Sequence, residues 1–123
     1  MESKKIDSYR DLLVWQQSLD LSVEIYALTQ GWPKSEQYGL TNQIRRAVTS
    51  IAANIAEGYG RESRGSYQQF LRIAQGSLKE FETHLILSGR LGYLPEGQID
   101  ALLGKCERLG KMLRSLIRKL DAN

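Results

Sequence analysis

Apolar residues recur at three- and four-residue spacing along four long stretches of the chain, and no stretch alternates in the manner of a half-buried strand. The first runs over about 11–30 and stops at Gly31-Trp32-Pro33. Ser8 and Asp11 form an S-x-x-D signature just before it. The second runs over about 36–59, with Ser35 as the expected N-cap, and ends in Gly58-Tyr59-Gly60. The third covers about 66–92, opened by a Ser66/Gln69 capping box and broken by Leu94-Pro95. The fourth covers about 96–121. Long helices joined by short connections are antiparallel neighbours. The pattern predicts an all-α, up-down-up-down four-helix bundle, a single domain over 1–123.

The seams support this arrangement. Helix three carries Tyr67, Leu71, Ala74, Leu78, Phe81, Leu85 and Ser88 at heptad-like spacing. Cys106 lies within the apolar face of helix four, which predicts a buried core thiol. Helix one has two apolar stripes on nearly opposite sides. Leu12, Trp15, Leu19, Val23 and Tyr26 make one; Val14, Leu21, Ile25 and Leu28 make the other. A helix of a free bundle needs a single stripe. The second set, Val14, Leu21, Ile25 and Leu28, is therefore the candidate oligomer interface, with another copy of the chain as partner.

Composition narrows the function. The chain has 123 residues, 41% apolar and 25% charged, as expected of a globular protein. One Cys and one His exclude a disulfide framework, a multi-Cys zinc site and a His-rich metal site. No metal or other cofactor is expected. No apolar run reaches the ~20 residues of a membrane helix, and the charged Met1–Asp7 segment lacks the apolar core of a signal peptide. The expected location is the cytoplasm, with no membrane partner. The formal charge is +3, and the excess of cations lies after residue 44. That distribution permits a polyanionic partner without requiring one.

Helix two carries a polar stripe beside its apolar face. Gln43, Arg46, Ser50, Asn54 and Glu57 step by three or four residues, and Ser77, Glu80 and His84 form a matching stripe on helix three. Such a stripe is either a ligand pocket between the helices or a network that fixes register or assembly; the structural reading is preferred. Catalytic patterns fail. The Gly58–Gly65 segment follows a helix and lacks the spacing of a phosphate loop. A di-iron bundle needs two Glu-x-x-His pairs, and Glu80 and His84 are four apart with no second copy. A Cys106–His84 nucleophile would sit in an apolar seam that disfavours thiolate. The expectation is a protein that is not an enzyme.

The basic residues are the remaining candidates. Arg61 and Arg64 flank the turn into helix three, where backbone N–H groups favour anions. Arg72, Lys79 and Arg90 share an outer face of helix three. Lys105, Arg108, Lys111, Arg114, Arg118 and Lys119 lie on the outer side of helix four against one acid, Glu107. These faces either track a phosphate backbone or are solvated helix surface.

Several runs of residues carry a resemblance. Tyr9–Gln16 (YRDLLVWQ), Tyr38–Ala47 (YGLTNQIRRA), Ser50–Gly58 (SIAANIAEG), Ile73–Thr83 (IAQGSLKEFET) and Leu91–Leu94 (LGYL) are similar to the 23S rRNA intervening-sequence protein family. The likeness covers about 9–94 and leaves helix four generic. It implies a four-helix bundle, a ring-shaped homopentamer and no established enzymatic activity. It also implies kinship with the accessory protein of diversity-generating retroelements, which has a basic surface and binds nucleic acid and a reverse transcriptase. The family name records where some of its genes lie and is not itself a sign of RNA binding. Two positions depart from the pattern: Trp32 stands where Phe is usual and His84 where Gln is usual. The resemblance implies that Gln43, Arg46, Ser50, Asn54, Glu57, Ser77 and Glu80 determine fold and assembly. The resulting expectation is a homo-oligomeric bundle, a pentamer by resemblance, binding structured RNA or DNA through its basic faces. The alternative is a scaffold for an unidentified protein partner with no nucleic-acid role.

Overall fold

A computed structural model describes residues 5–121. Its helices are α1 (Leu13–Thr29), α2 (Leu40–Tyr59), α3 (Arg64–Arg90) and α4 (Glu96–Asp121), with short 3-10 turns at Tyr9–Asp11 and Lys34–Glu36. No strand occurs among the described residues. Consecutive helices pack side by side, and a thinner α1–α4 seam closes the bundle. The up-down-up-down architecture is as the apolar spacing predicts.

Three helix starts differ from expectation, each for a local reason. The Ser8/Asp11 pair does make a capping box, but it closes the 3-10 turn. Asp11 Oδ2 accepts from the N–H groups of Asp7 and Ser8 at 2.9 and 3.1 Å, Leu12 turns extended, and α1 begins at Leu13. Ser35 caps nothing; it lies inside the second 3-10 turn. The start of α2 is held instead by Glu36, whose Oε1 accepts from Leu40 N–H at 3.1 Å. The N-cap of α3 is Ser63, whose hydroxyl accepts from Ser66 N–H at 3.1 Å. The exit of α3 is a Schellman turn. Tyr93 N–H reaches Ser88 O at 2.9 Å and Gly92 N–H reaches Gly89 O at 3.1 Å. Gly92 supplies the required positive φ of 79°.

The core is built from Ile44, Val48, Ile51 and Ile55 of α2, Leu71, Leu78, Phe81 and Leu85 of α3, and Leu102, Cys106, Leu109 and Leu113 of α4. At Gly58 the α2 backbone comes so close to α3 that a Cβ would lie 2.8 Å from Phe70 Cβ. The contribution of α1 is Val14, Leu21 and Ile25, interleaved with buried Ser18, Ser22 and Thr29. Each hydroxyl donates to the carbonyl four residues back, at 2.7, 3.1 and 2.7 Å, so none is stranded. Small polar side chains let α1 approach α2, where Ser22 Oγ also lies 3.3 Å from Val48 O.

This placement reverses the roles of the two α1 stripes. Val14, Leu21 and Ile25, expected to face another subunit, are at most 5% exposed in the chain's own core, and Leu28 packs against it. The opposite stripe is the one left outside. Leu19, Val23 and Tyr26 are 42%, 66% and 45% exposed, while Leu12 and Trp15 are half-buried against the core. A core stripe that is half serine and threonine looks apolar-poor in sequence, and that is the source of the inversion.

Candidate nucleic-acid interface

The α4 cations all reach solvent, but they are not equivalent. Lys105 crosses the α1–α4 seam to Glu24, with Nζ 2.6 Å from Oε1. Lys111 lies 3.6 Å from Glu107 one turn earlier. Arg108, Arg114 and Arg118 make no ion pair among the described residues. With Lys111 they form a basic ridge about 15 Å long, at 1.5 Å rise per residue. Exposed pairs such as Lys105–Glu24 and Lys111–Glu107 are screened by solvent and weakly held.

The α3 cations are more dispersed. Arg72, Lys79 and Arg90 lie on one outer face, and Lys79 is 3.3 Å from Glu82. Arg61, expected to line an anion site at the α2–α3 turn, is drawn back onto the protein. Its guanidinium lies 3.3 Å from Glu57 and 4.7 Å from the centre of the Phe70 ring. Glu57 is thereby withdrawn from the polar stripe. Arg64, in the first turn of α3, is exposed.

The polar stripe is a cleft open to solvent. A space of about 400 Å³ between α2 and α3 is walled by Gln43, Arg46, Ser50, Ser77, Glu80 and His84 over Ala47. Its floor is tied across the helices by Ser50 Oγ and Ser77 Oγ, 2.8 Å apart. Asn54 Nδ2 donates to Ser50 O and Oγ at 2.8 and 2.9 Å. The hydrogen-bonded part is thus Ser50, Asn54 and Ser77, while Gln43, Arg46 and Glu80 stand exposed at the rim. A deeply buried network is not what this stripe builds.

Cys106 is 1% exposed, and burial pushes its thiol up to about 12. That is opposite to the lowered value of an activated thiol. Among the described residues no cluster of three or more His, Cys, Asp or Glu side chains is placed to hold a metal ion. No described helix is long and apolar enough to cross a membrane.

Two features lay outside the reach of sequence pattern. Tyr93 donates to Glu36 Oε2 at 2.8 Å, joining the α3–α4 connection to the start of α2. Arg45 donates from Nε to Thr29 Oγ1 at 2.8 Å and lies 4.5 Å from the centre of the Tyr26 ring, joining α2 to the end of α1. Both link residues 16 or more apart in sequence, and no local spacing signals them.

The described residues form an all-helical bundle with a basic α4 ridge and a polar α2–α3 cleft. The model of the 23S rRNA-intervening sequence protein family matches residues 10–115, and the chain belongs to that family. The match runs well into α4, further than the motifs quoted above. A crystal structure from Bacteroides thetaiotaomicron VPI-5482, described as a protein with unknown function from the S23 ribosomal protein family, is similar in sequence and fold. It is 30% identical, covers 85% of this chain and 98% of its own, and superposes with a TM-score of 0.76. No curated protein matches the chain.

Proposed function

We propose that this protein is a non-enzymatic, homo-oligomeric cytoplasmic bundle that binds structured nucleic acid through the α4 ridge. The observation that carries the reading is the run Arg108, Lys111, Arg114 and Arg118, exposed at three- and four-residue spacing with Glu107 the sole acid among them. A row of cations of this kind is suited to neutralising several phosphates of one backbone. A single subunit of charge +3 binds weakly, but a ring of five, as the family resemblance implies, presents about five times that charge. The exposed Leu19, Val23 and Tyr26 stripe supports self-association, because it leaves apolar surface for a second copy to cover. The family's own description, which refers to ribosomal RNA, agrees with an RNA context without supplying a contact. The raised Cys106 thiol argues against a cysteine nucleophile.

The test replaces Arg108, Lys111 and Arg118 together by Glu and measures binding to a structured RNA and a DNA duplex. The proposal expects a loss of affinity of tenfold or more with folding and oligomeric mass unchanged. Unchanged affinity excludes the α4 ridge and favours a protein-docking scaffold.

A further inference from the structure

A cavity of about 290 Å³ lies where α1 ends and α2 begins, at the end of the bundle opposite Arg114 and Arg118. Trp32, Lys34, Gln37, Thr41 and Arg45 contribute to its wall. Two of these carry a buried polar atom with no partner. Trp32 Nε1 and Thr41 Oγ1 are both shielded from solvent and unbonded, in residues that are 9% and 8% exposed. Leaving such groups unpaired is unfavourable, and native interiors almost always satisfy them.

The chemistry of the wall selects the missing partner. Indole N–H, ammonium and guanidinium groups donate and do not accept. The wall holds two cations, Lys34 and Arg45, and no carboxylate. Glu36, in the same connection, is engaged by Leu40 N–H and Tyr93 instead. Arg45 is held in place, with Nε on Thr29 Oγ1 and Nη2 3.3 Å from Tyr26 O, and its Nη1 takes part in neither bond. The start of α2 adds partial positive charge and the end of α1 partial negative charge, so the helix ends largely offset and the net positive charge comes from Lys34 and Arg45. The wall's acceptors are the neutral oxygens of Thr29, Gln30, Gln37 and Thr41; a water satisfies donors and acceptors there, but only an anion also offsets the two cations.

We infer that this cavity binds a phosphate group, with Trp32 Nε1–H and Thr41 Oγ1–H donating to its oxygens and Lys34 and Arg45 balancing its charge. Because the two inner donors are shielded, entry requires displacement of covering side chains. Lys34 and Gln37, exposed and unbranched, are the movable ones. The group comes either from a free phosphate or mononucleotide or from a nucleic-acid backbone. The inference is independent of the α4 ridge.

The chain has two tryptophans, so a ¹⁵N-labelled sample gives two indole N–H signals, assigned by Trp15→Phe. Inorganic phosphate is titrated at constant ionic strength against chloride. The expected result is a saturable shift of the Trp32 signal with the Trp15 signal still. Thr41→Val and Lys34→Gln should each raise the half-saturation concentration about tenfold. Lys34→Gln, at an exposed position, keeps the test intact should Thr41→Val not fold. A static Trp32 signal, a linear drift shared by both indoles, or variants that titrate like the parent would overturn the site. A 5′-mononucleotide and an oligonucleotide without terminal phosphates then separate the sources. A shift by the oligonucleotide assigns the backbone, and a shift by the mononucleotide alone assigns a phosphate monoester. A response to inorganic phosphate only leaves the free ion as ligand. Charge reversal on α4 leaves the inorganic phosphate and mononucleotide titrations unchanged, so failure here is separable from failure of the ridge.

Discussion

Ser50 Oγ and Ser77 Oγ lie 2.8 Å apart and form a cross-helix hydrogen bond at the floor of the α2–α3 cleft. Replacing either by Ala mixes the lost bond with a gain in helix propensity. A double-mutant cycle separates them. Ser50→Ala and Ser77→Ala should show a coupling of about 1 kcal/mol in urea unfolding, the net value of a typical hydrogen bond. Nucleic-acid affinity should not change. Additive effects of the two substitutions would mean that the hydroxyls do not hold the helices in register.

Glu36 gives the fold a specific acid sensitivity. Its carboxylate accepts from Leu40 N–H first and from Tyr93 second, and these hold its pKa below the ordinary 4.5. A carboxylate depressed in the folded state stabilises the protein above its unfolded pKa. That stability is lost as pH falls through the folded value. Thermal melts below pH 4.5 should therefore show a smaller Tm loss for Glu36→Gln than for the parent, with Tyr93→Phe between them. Identical pH profiles for the three proteins would break the link.

Cys106 should behave as a core side chain. Its thiol is raised to about 12, chiefly by burial. A maleimide or aromatic disulfide reagent at pH 8 should label it only as fast as the chain unfolds, and at once in denaturant. Prompt labelling of the native protein would mean that the seam around it opens.

The reversed α1 stripes lead to opposite expectations for neighbouring residues. Ile25 is fully buried, so Ile25→Glu should cost several kcal/mol and abolish the helical melt. Val23 is 66% exposed, so Val23→Glu should leave the chain's own fold and helical content intact. If the exposed stripe joins subunits, Val23→Glu also lowers the mass seen by light scattering. A Val23→Glu protein of unchanged oligomeric mass would remove that stripe from the interface.

Periodicity carried the architecture because α2, α3 and α4 present apolar residues to the core at regular spacing, from Ile44 to Ile55 and from Leu102 to Leu113. The polar cleft was legible for the same reason: Gln43, Arg46 and Ser50 on one helix and Ser77, Glu80 and His84 on the next meet as their spacing implies. What failed was any feature decided by more than periodicity. On α1, Ser18, Ser22 and Thr29 are buried because their hydroxyls find a carbonyl within the helix, and apolar counting alone assigns them to the surface. Lys105 and Glu24 are 81 residues apart, so their pairing follows from the α1–α4 seam alone. Arg61, expected at an anion site beside the turn into α3, is held against the protein by Glu57 and the Phe70 ring. The orphan donors of Trp32 and Thr41 emerge only once the connection between α1 and α2 is folded.

The central claim is that the α4 ridge contacts phosphates, and the salt dependence of binding tests it most directly. Fluorescence anisotropy with structured RNA, duplex DNA and single-stranded DNA should be measured from about 50 to about 300 mM salt, where counterion release dominates. Three to four ridge contacts per subunit predict a log–log slope of about −3 per engaged subunit on duplex DNA. Charge reversal at Arg108, Lys111 and Arg118 should flatten it. Absence of binding at the lowest salt, or a slope untouched by those substitutions, would contradict the account.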